Sequence, residues 1–101
     1  MQCRLDVTKV PGSGRVRVRG ALAVRDAERL VHVICASGLG RVAVSFAQSS
    51  GDLDVVLPRV VEALALRHDA PEVTLEGLTR HQLRLLDYLG LGQGPSARGL
   101  G

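Results

Sequence analysis

The sequence predicts a single α/β domain: a mixed sheet that opens with an N-terminal hairpin and carries helices packed on one face. Three observations carry this. At 101 residues, 46% of them hydrophobic, the chain suits one core. Its apolar period switches back and forth between two residues and about 3.6. Its first two alternating segments are separated only by "PGSG", which is turn chemistry.

The elements follow in order. "CRLDVTKV" (Cys3 to Val10) alternates and reads as a strand. "RVRVRGALAV" (Arg15 to Val24) alternates strictly at first, so Val16 and Val18 face a core while Arg15, Arg17 and Arg19 face water. In "RDAERLVHVICASG" the period lengthens: Ala27, Leu30, Val31, Ile34 and Cys35 form one helical stripe. Asp26 and Glu28 sit where the helix dipole favours acids, and Gly38 or Gly40 ends the helix. "RVAVSF" (Arg41 to Phe46) is a short strand, and "AQSSGD" reads as a loop after it. Leu53, Val56, Leu57, Val60, Val61 and Leu64 then mark a second helix. Pro58 places its start near Asp54, or kinks it near Pro58. "DAP" stops it, because Pro71 pushes Ala70 out of helical dihedrals. "EVTLEGL" is a last strand, and Thr79 caps a last helix with Leu83, Leu86 and Tyr88 or Leu89 inward. The order is β-β-α-β-α-β-α over residues 1–92, followed by a flexible Gly-rich tail over 93–101.

Composition removes several functions. Two aromatics, Phe46 and Tyr88, cannot build a stacking platform for single-stranded nucleic acid. The net charge of +3 is uneven: residues 1–45 hold eight Lys/Arg against three acids, and residues 46–101 hold five against seven. That is not the dense basic patch of a nucleic-acid binder. Cys3 and Cys35 are too few for a disulfide scaffold or a zinc site. No apolar run is long enough to span a bilayer, and no leader pattern is visible, so a cytoplasmic protein is expected.

Three stretches, in order, resemble the STAS domain family, named for sulfate transporters and anti-sigma factor antagonists. "VRVRGALAVRDAERLVHVI" is similar to the family's opening strand, glycine and acidic helix. "VAVSFAQSSG" is similar to its central strand and Asp-Ser-Ser-Gly turn. "VTLEGLTRHQLRLLDYLGL" is similar to its closing strand and helix. The resemblance spans roughly residues 3 to 91. It implies a bacterial, non-enzymatic interaction module acting in signalling and transcription regulation, with no cofactor. It implies a contact surface at the loop Gln48, Ser49, Ser50, Gly51, Asp52, Leu53 and Asp54 and on the helix after it. Ser50, with Ser49 beside it, matches the family's phosphorylated position. The implied partner is an anti-sigma factor with kinase activity. The alternative is an ABC-type ATPase, bound constitutively in a lipid-transport complex. Two features depart from the family: Gln48 stands where the family has Asp, and "GDLDVVLP", with Pro58 restricting the helix start, intervenes where the family's helix begins directly after the glycine; Asp52 and Asp54 also place negative charge by the serines.

Blander readings accompany each candidate. "SSGD" between a strand and a helix is ordinary cap and turn chemistry. His32, His68 and His81 lack second ligands at helical spacing, so neither a metal nor a catalytic role is expected. "ASGLG" is a helix end. "QSSGD" lacks the glycine spacing of a nucleophile elbow, and "GSG" at Gly12 to Gly14 lacks a following helix. The arginine ladder is the solvated face of a strand, or a contact for an acidic partner. Self-association through a sheet edge or helices is the structural alternative.

Overall fold

The computed structural model of the protein describes residues 3–51, 53–88 and 96–99. The elements are β1 (Arg4–Val10), β2 (Ser13–Leu22), α1 (Asp26–Ala36), β3 (Arg41–Gly51), α2 (Leu53–Ala65), β4 (Glu72–Leu78), α3 (Arg80–Tyr88) and β5 (Ser96–Gly99). The first seven follow the expected order. β5 falls within the expected tail, pairing in parallel with β4 from Thr74↔Ser96 to Leu78↔Gly99. Ser and Gly carry little strand preference, so the pairing is dictated by the open edge of β4 and not by local composition.

The sheet order is β1-β2-β3-β4-β5, with β1 antiparallel to β2 and every later pair parallel. This sequential order has a direct consequence. Parallel crossovers are right-handed, and here each step moves the same way across the sheet. All three helices must therefore lie on one face. Among the described residues, the other face carries no helix.

The hairpin is tighter than the sequence suggests. Val10 pairs with Ser13, so Pro11 and Gly12 alone make the turn, with Gly12 at φ 79°. Pro followed by a positive-φ glycine suits a type II turn.

Between sheet and helices lies the core. Val16, Val18, Val42, Val44, Phe46, Val73 and Leu75 point into it from the strands. Ala27, Leu30, Val31 and Ile34 of α1 and the whole expected stripe of α2 close it from above. Helix ends are locally determined. The Ser37 hydroxyl donates to the Ile34 carbonyl at 2.7 Å, and Gly38 turns the chain at φ 69°. Thr79 and Gln82 form a capping box: the Gln82 N–H donates to Thr79 Oγ1, and the Thr79 N–H donates to Gln82 Oε1 at 2.8 Å.

Two expectations are corrected here. α2 begins at Leu53, beside the expected Asp54 and two residues after Gly51, so Pro58 does not delay it but lies inside the helix. Proline lacks the N–H that would reach Asp54, so that carbonyl loses its helical donor near the solvent-exposed helix start. Tyr88 is not inward but 88% exposed. Gln82 and Leu86 are the buried residues of α3. Leu89, Asp52 and most of the expected tail lie outside the described residues.

Candidate functional site

β2 and β3 both run on past the middle of the sheet. Arg19, Gly20, Ala21 and Leu22 pair with Gln48, Ser49, Ser50 and Gly51. The stretch expected to begin a loop is therefore strand as far as Gly51. Gln, Ser and Ser read as loop residues by composition, but an adjacent strand of matching length supplies them with a ladder.

The register slips on the way. Arg17 pairs with Ser45, yet Arg19 pairs with Gln48, so β3 carries one extra residue around Phe46 and Ala47. This is a β-bulge. Three residues fit it closely. The Ser49 hydroxyl donates to the Phe46 carbonyl at 2.7 Å. Gly77 of β4, at φ 75°, lies so close that an added Cβ would come within 2.7 Å of the Ala47 nitrogen. Gly51, at φ 95°, ends the strand where a Cβ would come within 2.7 Å of the Leu22 carbonyl oxygen. At these positions glycine answers both close approach and a left-handed backbone.

The expected contact residues thus divide. Gln48 is exposed opposite Arg19, Ser49 is half-buried and committed to the bulge, and Gly51 is a backbone requirement. Ser50 is exposed, and its hydroxyl makes no hydrogen bond among the described residues. Leu53 begins α2 but is only 9% exposed and packs into the core, so it is not presented to a partner. Asp54 is exposed, its carboxylate 3.2 Å from Nε2 of His81 in the first turn of α3.

Sequence reasoning missed a neighbouring feature. Between α1 and α2 runs a groove of about 550 Å³ with an apolar floor of Val24, Ala27, Ala63 and Leu66. Arg25, Glu28, Arg59 and Glu62 rim it. The available signal was phase. Leu66 is apolar but off the buried α2 stripe, and it is exposed.

Burial pushes the thiols of Cys3 and Cys35 up, away from the reactive thiolate. Among the described residues, no three His, Cys, Asp or Glu side chains gather as a metal set. No helix among them is long and apolar enough to cross a membrane.

Solved structures share this architecture. The unphosphorylated form of the anti-sigma factor antagonist SpoIIAA is similar with a TM-score of 0.67 and 13% identity, covering 99% of this chain and 90% of that one. The phosphorylated form of SpoIIAA, a Bacillus cell fate determinant, is similar with a TM-score of 0.54 and 17% identity, covering 96% and 91%. The fold is STAS-like. At these identities the likeness is one of fold. No protein-family model matches the sequence, and no curated protein does either. In STAS-like terms, Ser50 lies at the end of the central strand, just before the helix that follows it.

Proposed function

We propose that this STAS-like domain is a non-enzymatic protein-interaction module that works as an anti-sigma factor antagonist-like regulator in the cytoplasm. It binds a partner kinase or ATPase through the end of β3, Gln48 to Gly51, together with Asp54 and the exposed side of α2. The observation that carries this reading is the division of labour between the serines. Ser49 is tied to the Phe46 carbonyl, whereas Ser50 is exposed with an uncommitted hydroxyl three residues before α2. A phosphate on Ser50 would sit near the free N–H groups and positive dipole of the helix start. It would also add about two negative charges to the contact surface, enough to repel a partner fitted to the neutral form.

A second reading keeps the same surface without modification: constitutive binding of an ABC-type ATPase. Asp54 favours it, because an exposed carboxylate already stands at the start of α2. The experiment is capture of partners from the native host by wild type, Ser50→Ala and Ser50→Asp. The switch reading expects Ser50→Asp to lose a kinase partner that Ser50→Ala keeps. If neither substitution changes the partners, Ser50 is no switch. Capture of an ATPase by all three proteins would then support the constitutive reading. Mass spectrometry of the native protein assigns phosphate to Ser50 and not Ser49.

A further inference from the structure

The helix-free face of the sheet is charged. From strands β1 to β4, among the described residues, it carries five arginines, Arg4, Arg15, Arg17, Arg19 and Arg41, against three carboxylates, Asp6, Glu72 and Glu76. Four of those arginines have a carboxylate at 2.7 to 3.8 Å: Arg4 and Arg19 share Asp6, Arg15 takes Glu76, and Arg41 takes Glu72. Arg17 has no such partner among the described residues, although Asp6 is its register neighbour. It stands beside the β3 bulge.

There a cleft of about 290 Å³ opens, lined by Arg15, Arg17, Val18, Ser45, Ala47 and Gln48. The Val18 side chain is fully buried, so this residue contributes backbone to the cleft. The Ser45 hydroxyl and the Gln48 amide make no hydrogen bonds among the described residues. Arg15 uses one nitrogen on Glu76 and keeps further N–H donors. Two guanidinium groups against one carboxylate leave one positive charge in excess. Bulges re-aim side chains and break the ladder locally, and this one is fitted by Ser49 and Gly77.

We propose that this cleft is a binding site for a phosphate-type oxyanion, held by Arg15 and Arg17 with the Ser45 hydroxyl and the Gln48 amide. The donor set decides the class. Two guanidinium forks, a hydroxyl and an amide offer more donors than the two oxygens of a carboxylate engage, and they match a tetrahedral oxyanion. The site goes beyond the function proposed above and does not depend on whether Ser50 is modified.

The test is a titration of the full chain, followed by amide chemical shifts in NMR at constant ionic strength set with chloride. The probes are inorganic phosphate, phenyl phosphate and acetate. Saturable shifts at Arg17, Ser45, Ala47 and Gln48 with phosphate are the expected result. Arg17→Gln weakens binding by at least about tenfold, as expected for a lost charged hydrogen bond. Arg41→Gln, on the same face away from the bulge, leaves the affinity within about twofold. Phenyl phosphate binding as well as phosphate points to a phosphomonoester, and loss of binding with the ester points to the free anion. Either supports the site. Non-saturating shifts, equal loss in Arg41→Gln, or acetate binding as tightly as phosphate overturns it. The spectra report whether each variant is folded.

Discussion

The two faces of this sheet are made from alternate residues of the same strands, yet they behave as different materials. Facing the helices, Val16, Val44 and Leu75 lie side by side and are essentially inaccessible. One residue along, Arg15, Ala43 and Thr74 form the matching row on the open side. The first row is held by burial, which is non-directional and tolerates nothing missing. The second is held by the first: its residues sit where the ladder puts them and choose their own partners. Small Ala43 and Ser45 on the middle strand leave room for Arg15 of β2 to reach Glu76 of β4 at 2.7 Å. Stability is therefore concentrated on one side, and chemical variety is free to collect on the other.

The largest expected effect tests that division within one strand. Leu75→Ala removes a fully buried side chain and should lower unfolding stability by about 2–5 kcal/mol in urea denaturation. Thr74→Ala, its neighbour on the open face, should stay within about 0.5 kcal/mol. Comparable losses would mean that the open face is covered by something in solution.

A smaller contrast lies along the serine stretch. Gly51→Ala forces a side chain into a left-handed backbone and against the Leu22 carbonyl, and should cost roughly 1–3 kcal/mol. Ser50→Ala next to it should cost less than about 0.5 kcal/mol. If Ser50→Ala is as costly as Gly51→Ala, the Ser50 hydroxyl is structural and the proposed switch loses its support.

What the sequence revealed follows the same line. Every residue of the expected α2 stripe is buried, because a helix writes its environment into a local period. The alternation of Val16 and Val18 with three arginines likewise declared the two faces. Features that depend on a distant strand were not legible. β3 runs to Gly51 because β2 runs to Leu22, and nothing in Gln-Ser-Ser announces that. The bulge is invisible for the same reason: Phe46 and Ala47 alone do not show that Arg17 and Arg19 will pair on either side of them. β5 pairs because β4 has a free edge. Within the serine stretch, the separate surroundings of the two hydroxyls were not legible either. "SSG" shows two equivalent serines, and the geometry separates them through one hydrogen bond from Ser49 to Phe46.

The open face invites a further comparison between ion pairs. Arg15 and Glu76 come from strands 61 residues apart and are partly shielded, with side chains 47% and 26% exposed. A double-mutant cycle with Arg15→Gln and Glu76→Gln should yield a coupling of about 0.2–1 kcal/mol that shrinks as salt is added. A coupling that does not respond to salt would place the pair in a drier setting than an open face provides.

Arg67 and Asp69 make the opposite kind of pair, two residues apart in the turn after α2, joined by two hydrogen bonds of 2.8 Å. Those bonds to the Arg67 guanidinium pull the Asp69 carboxyl down from 3.8 to about 2. A carboxyl whose folded pKa is depressed contributes stability above its unfolded pKa and loses it as pH falls through the folded value. The stability difference between wild type and Asp69→Asn should therefore be constant near neutrality and fade between about pH 4 and about pH 2. It should also be the smallest effect of the series. The partners are so close in sequence that the unfolded chain keeps part of their attraction, which cancels from the difference. Arg15 and Glu76 lose theirs entirely on unfolding. Denaturation midpoints measured across that acid range check both points. A difference that grows on acidification would break the assignment. One larger than the Arg15–Glu76 coupling would show that the turn, and not the sheet face, carries the charge pair that matters for stability.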